Sequence, residues 1–354
     1  MLQRNSDYVI TKSIYKVTLR GEYEATKFSN GEFYGMIKIP KTIPKSNTPL
    51  EGKYILCEVF LLKRRGNHPN ILKLYDYWES QNSRYLVVEY WDGGNLVNEI
   101  KSGSIVKNNG DSDGQVKFRT SSGLGEKKSI FFLMQILSGL KTLQGERVAL
   151  RDLKPSDLLL RKDGRLLLGN FGFVRLEYDL TRVNPDCNRG YKAPEAPLRP
   201  GEISSFHNKV HLWLAGVNFF EMIFGRELYS FPSSEGYEED DELKKKIKRN
   251  SGQNLEIPEA QKISSECLDL LRRLLEYDID ERISWNEVFN HPLFGKYSDQ
   301  ELHLATGYGL EMIGEVRRVF YENKDCRPGD EKLRSILMYV EQSEGLRDPQ
   351  ITSL

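Results

Sequence analysis

Residues 149–172 read ALRDLKPSDLLLRKDGRLLLGNFG. This stretch sets Asp152, Lys154, Asp157 and Asn170 among runs of leucine. Carboxylate and amide oxygens are the hard ligands that magnesium takes. Whether these residues form a working centre or the remnant of one depends on the chain around them.

The chain has 354 residues, is 39% hydrophobic and 29% charged, and carries no formal net charge. That is globular composition, long enough for two lobes with separate cores. A neutral balance argues against a general nucleic-acid or membrane-surface role. The opening MLQRNSDYVI lacks the apolar core of a signal peptide. No apolar run approaches the ~20 residues that span a bilayer, so membrane insertion is not expected. Cys57, Cys187, Cys267 and Cys326 lie far apart, with no C-x-x-C pair. That spacing argues against a disulfide framework or a zinc site and points to a reducing cytoplasm.

Upstream of the opening stretch, YVITKSIYKVTL and GEFYGMIKIP are β-branched and aromatic, and SNG between two such runs predicts a hairpin turn. EGKYILCEVFLLKRR places Ile55, Val59 and Leu62 on a helical stripe, and RYLVVEY is a buried strand. Residues 101–122 are rich in Gly, Ser, Asn and Lys and are expected to be a flexible surface insertion. From KKSIFFLMQILSGLKTL onward the pattern is mostly helical. Asp240, Asp241 and Glu242 precede Lys244, Lys245 and Lys246 by four, which predicts i,i+4 pairs on one solvated helix.

Ordered motifs over residues 8–297 resemble those of the eukaryotic protein kinase superfamily. MIKIP is similar to the V-A-I-K strand, CEVFLLK to the helix whose glutamate pairs with that lysine, LVVEYWDGGNL to the hinge, LRDLKPSD to H-R-D-L-K-P-x-N, and NFG to D-F-G. YKAPE and DIDERISWNEVFNHPLF follow in order. The resemblance implies an α+β, bilobal kinase-like fold. A small β-rich N-lobe with one helix would span about 8–90, and a larger helical C-lobe about 93–297. Asp152 would orient a substrate hydroxyl and Lys154 would touch the moving phosphate. Lys38 would pair with Glu58. Glu89 to Trp91 would form the connector, with Val88 as gatekeeper of an adenine slot floored by Leu159. Asp157 and Asn170 would be the metal ligands, with ATP and magnesium as cofactors, and Arg282 would pair with Glu195.

The same alignment exposes departures. The metal ligands are exchanged: an aspartate stands at 157 and an amide at 170, where the family has the reverse. The phosphate cradle retains Gly21, but Lys16 and Thr18 replace its two leading glycines. GLG at 123–125 precedes a helix and is not that cradle. Tyr23 and Met36 replace the small residues that roof the adenine and are expected to fill its slot. Leu150 replaces a histidine. His211 replaces an aspartate that steadies the catalytic loop, and a neutral imidazole has one acceptor nitrogen, so a loop held less firmly or differently is expected. Thr181 is the one threonine of the activation segment, and an acidic residue or a direct backbone contact, rather than a phosphate, is expected to hold Arg151.

Residues 298–354 form a helical tail. SDQE is a capping-box start. Leu310, Ile313, Val316 and Phe320 share one helix face, and Leu333, Ile336, Leu337 and Val340 another, both expected to pack on the C-lobe. The terminal TSL fits a C-terminal recognition pattern. Together these features point to a pseudokinase, a scaffold or allosteric binding protein for protein partners, with weak or absent ATP binding and transfer. The alternative is an active Ser/Thr kinase using Asp152, Lys154, Lys38 and the exchanged ligands.

Overall fold

The structure, a computed structural model, describes residues 7–16, 21–27, 30–42, 58–59, 61–63, 66–103, 123–145, 148–150, 153–169, 175–176, 189–195, 209–229, 238–258 and 262–325. They fall into two compact units. One takes its described residues from 1–67 and 71–90, the other from 68–70 and 91–327.

The first unit is a five-stranded antiparallel sheet. Its strands are β1 (Tyr8–Lys16), β2 (Gly21–Lys27), β3 (Phe33–Pro40), β4 (Leu74–Glu79) and β5 (Ser83–Val88), in the order β1-β2-β3-β5-β4. Gly31, at φ 69°, sits in the β2–β3 connection, where its N–H donates to Lys27 O at 2.8 Å. Left-handed backbone of that kind favours glycine. Residues 58–59 and 61–63 are helical, with Glu58, Val59, Leu61 and Leu62 buried. Ile55 of the expected stripe lies outside the described residues.

β3 buries both faces, and its register with β5 decides which residues share one. Gly35 pairs with Val88, Met36 with Val87, Ile37 with Leu86 and Lys38 with Tyr85. Directly opposed residues lie on the same face, and successive residues alternate. One face therefore carries Tyr34, Met36 and Lys38 with Val87 and Tyr85. The other carries Gly35, Ile37 and Ile39 with Leu86 and Val88. On the first face Met36 and Val87 pack with Tyr8 and Tyr34, and Trp78 and Tyr85 close the cluster. Tyr8, Trp78 and Tyr85 stack in series, with centroids 5.8 and 5.2 Å apart and planes within 12°.

The second unit is mainly helical. α1 (Leu96–Gly103) and α2 (Glu126–Gly145) are followed by short strands β6 (Val148–Ala149), β7 (Leu158–Leu160), β8 (Leu166–Leu168) and β9 (Arg175–Leu176). α3 (Val210–Phe224), α4 (Glu238–Arg249), α5 (Ser265–Leu274), α6 (Trp285–Phe289), α7 (Asp299–Thr306) and α8 (Leu310–Glu322) complete it. α3 is apolar almost all round, as a central helix must be, and all but one of its residues are buried. The GLG expectation holds in outline: Gly123 and Gly125 precede α2 at φ 57° and 75°. α4 is not a wholly solvated helix, because Leu243 and Ile247 are 1% and 2% exposed. Glu242 and Lys245 form an i,i+3 ion pair at 2.7 Å, and the side chains of Asp240 and Asp241 lie outside the described ones. Residues 104–122 of the expected insertion lie outside the described residues.

The tail helices pack as one unit with this core. Ser298 and Glu301 form the expected reciprocal cap, Oγ accepting at 3.2 Å and the carboxylate at 3.0 Å. Ile313, Val316 and Phe320 of α8 are buried, joined by Val319, whereas Leu310 is 47% exposed. The stripe at 333–340 and the terminal TSL lie outside the described residues.

Candidate functional site

Leucine triplets and a glycine turn build the base of the candidate site. β7 and β8 pair as Leu158–Leu168, Leu159–Leu167 and Leu160–Leu166, and all six side chains are buried. A 3₁₀ turn over Pro155–Asp157 leads into β7. Lys154 N–H donates to the Asp157 carboxylate at 3.3 Å, and Asp157 N–H donates back to Lys154 O at 2.9 Å. Gly169 N–H donates to Asp157 O at 3.0 Å. The fold thus brings the 157 and 169 positions within one hydrogen bond. Asp157 is buried, its residue 8% exposed, and one of its carboxylate oxygens is turned to the backbone of its own loop. Arg151, Asp152, Asn170, Phe171 and Thr181 lie outside the described residues. Among the described residues no three His, Cys, Asp or Glu side chains cluster as a metal site.

The backbone after the connector is held against β7. Gly93 N–H donates to Leu160 O, and Leu160 N–H donates to Gly94 O, both at 2.9 Å. A Cβ on Gly93 would stand 2.8 Å from Leu160 O, so this approach needs glycine. Trp91 is 2% exposed and Leu159 5%. In the first unit Glu89 N–H donates to Lys73 O at 2.8 Å.

Two side chains of α3 fasten the loop between β6 and the 3₁₀ turn. His211 Nε2 accepts the Leu150 N–H at 3.1 Å. Acceptance there leaves the proton of the neutral ring on Nδ1, which has no hydrogen-bond partner. Burial pushes the imidazole down to about 4, so the ring is neutral near pH 7. The expected single acceptor is thus in use, tying the loop at Leu150. Asn218 holds the loop again, donating from Nδ2 to Leu153 O at 2.8 Å. Sequence reasoning passed over Asn218, although a lone amide in LWLAGVNFF was a visible signal.

Arg282 and Glu195 meet as the resemblance implied. The guanidinium binds both carboxylate oxygens, at 2.7 and 2.9 Å. It also donates to Glu276 O and Lys209 O, at 2.9 and 3.1 Å, and lies 5.0 Å from the Trp213 ring centroid. Nearby, the Tyr191 hydroxyl donates to Glu221 of α3. Burial holds that carboxyl well above its ordinary range, at about 7.

In the first unit the strand register sets Val88 apart from the other residues that the resemblance groups around one slot. Met36 is fully buried in the aromatic cluster. Lys38 Nζ lies 5.8 Å from the centroid of Tyr85. No described carboxylate ion-pairs with it; Glu58 is fully buried and keeps its own contacts. Val88 belongs to the opposite face, with Gly35 and Ile37. The physical reason is the period of a strand: one residue of slip moves a side chain to the other side. Met36 therefore packs in the aromatic core on the face that carries Lys38, and Ile37 lies on the face of Val88. Tyr23 stands opposite Met36 and Gly21 opposite Lys38 in the β2–β3 ladder. Gly21, Tyr23, Met36 and Lys38 thus share one face of the sheet, as the resemblance groups them, and Val88 lies on the other.

The protein kinase domain family matches residues 22–294. The chain belongs to that family and has its α+β, bilobal fold. It is 30% identical over 293 residues to the serine/threonine-protein kinase ULK3 of Xenopus laevis, covering 81% of this chain and 55% of that protein. It is 28% identical over 299 residues to the serine/threonine-protein kinase atg1 of Dictyostelium discoideum, covering 82% and 39%. With the serine/threonine-protein kinase GIN4 of Saccharomyces cerevisiae the identity is 28% over 256 residues, covering 72% and 20%. The chain thus spans less than two thirds of the length of these relatives. No helix of the described residues is long and apolar enough to cross a membrane.

Proposed function

We propose that this chain is a pseudokinase, a kinase fold that works by binding protein partners, with weak or absent ATP binding and phosphoryl transfer. The observation that carries the reading is Met36, a large side chain fully buried against Tyr8, Tyr34 and Val87 at a position that the resemblance keeps small. Phosphoryl transfer depends on positioned charge rather than covalent chemistry by the protein. Losing one such positioned group typically costs about 10²–10³ in rate. The two cradle glycines replaced by Lys16 and Thr18, and the exchange at 157 and 170, bear on the same reaction. In this reading the intact Arg282–Glu195 pair and the anchored loop serve the shape of the surface.

The second reading is an active Ser/Thr kinase that takes ATP and magnesium. It is favoured by the names of the relatives and by the presence of Asp152, Lys154 and Asp157 in motif order. Thermal melting with ATP and magnesium or manganese separates the two. A nucleotide at 100 times its dissociation constant would add about 2.7 kcal/mol, and the pseudokinase reading expects no rise. A rise in melting temperature, with phosphorylation of a generic substrate that Asp152→Ala abolishes, would overturn it.

A further inference from the structure

The family match stops at residue 294, but the second unit continues through two more helices. We infer that α7 and α8 form a built-in strap that fixes the β7–β8 hairpin from outside the family-matched region. This inference is independent of whether the chain transfers phosphate.

Three contacts place the strap on the hairpin and its neighbours. Tyr308, between α7 and α8, lies on the hairpin turn, where Gly164 adopts φ 97°. A Cβ on Gly164 would stand 2.6 Å from the Tyr308 ring, so the turn is shaped to receive it. The same ring packs on Phe131 and Phe132 of α2, at 5.4 and 6.2 Å between centroids. Next to the turn, Arg165 Nη2 donates to both oxygens of Glu315, at 3.2 Å each. At the far end, Asn323 Nδ2 donates to Ser138 O at 2.8 Å and stands 2.8 Å from His68 Nε2.

The hairpin is held from its other side as well. Asn70 O accepts the Leu168 N–H at 2.9 Å, and Asn70 Nδ2 donates to Leu166 O at 2.9 Å. Gln135 donates to Gly164 O at 3.1 Å and accepts the Leu166 N–H at 2.7 Å. β8 is thus clasped between the Asn70 turn, α2 and the strap, and β8 leads to Gly169 and its bond to Asp157.

The strap also has a fixed shape of its own. Arg317 donates to Asp299, to Phe294 O and to Tyr297 O, at 2.7, 2.7 and 2.9 Å. Phe320 packs on Phe289 and Phe294 at 4.8 and 4.5 Å. A segment braced this way transmits a rigid contact rather than a loose one.

Hydrogen exchange on the full chain tests the inference. Tyr308→Ala should speed exchange of amides 158–169 at least tenfold, while α5 in the same unit stays unchanged. Arg165→Glu and Glu315→Arg should each do the same, and the double swap should restore protection. Leu304→Ser, on a side chain 75% exposed, should change nothing. Should Tyr308→Ala fail to fold, the charge swap carries the test. Unchanged exchange at 158–169, an equal rise in α5, or no recovery in the double swap would overturn the inference.

Discussion

His211 should give the protein a pH-dependent stability with a defined window. The ring is 1% exposed, accepts the Leu150 N–H, and is pushed from its ordinary 6.5 down to about 4 by burial. The unfolded chain takes up the proton near pH 6.5, and the folded chain resists it until about pH 4. Between those values the unfolded state binds more protons, so stability falls as pH falls. The contribution is complete above about pH 6.5 and lost by about pH 4. A shift of about 2.5 units at 1.36 kcal/mol each is about 3 kcal/mol. Protonation would also turn Nε2 from acceptor to donor against the Leu150 N–H. His211→Gln keeps an acceptor within the side chain and removes the titration. Urea denaturation of both proteins from pH 7 to pH 4, followed by tryptophan fluorescence, isolates the difference, since other groups titrate alike in both. The wild type should lose about 3 kcal/mol relative to His211→Gln across that range. Parallel curves for the two proteins would refute the reasoning.

Glu221 should act in the opposite sense. Its folded pKa is raised to about 7, so its contribution is full below about pH 4.5 and lost as pH rises through about 7. Glu221→Gln should therefore gain stability relative to wild type between pH 5 and pH 8, read by the same denaturation assay. Arg282→Ala should cost about 3–5 kcal/mol, because it leaves a mostly buried carboxylate and two backbone carbonyls without their donor; Arg282→Lys should recover only part, lacking the bidentate fork. Phe320→Ala should cost about 3–5 kcal/mol in thermal or chemical unfolding, and a loss near zero would mean that α8 does not pack as described. Lys38→Ala should cost no more than about 1 kcal/mol, the worth of an aromatic contact, and should leave calorimetric nucleotide titrations as they were; a marked fall in ATP affinity would return Lys38 to the phosphate site.

Much of this was legible in the chain because it is written in local patterns. The SDQE cap and the Ile313–Val316–Phe320 stripe each specify an element without help from the rest of the fold, whereas the strand pair of leucine triplets around RKDGR interrupts a stretch that read as mostly helical. The Arg282–Glu195 pair was readable from motif order, across 87 positions of sequence separation. The β3 register was not. A strand buried on both faces lacks the polar and apolar alternation that fixes which side is which, and GMIKIP offers an apolar residue to either face. The same limit explains α4, whose acidic and basic runs hide the two buried residues Leu243 and Ile247. Leu310 missed its expected burial for a different reason. It is the first residue of α8, and helix periodicity says nothing of where the surface under a helix begins. Asn218 was missed because an amide inside an apolar run has meaning only once the backbone it must satisfy is in place.

The β3 ladder makes the strand far more sensitive to a change of length than to a change of residue. Gly35, Met36, Ile37 and Lys38 alternate across the sheet, so removing Ile37 would carry Lys38 onto the face of Gly35 and Val88. Point substitutions along the strand change what a face carries but leave each position on its own side. A single in-frame deletion reverses the sides for everything between it and the next bulge or turn.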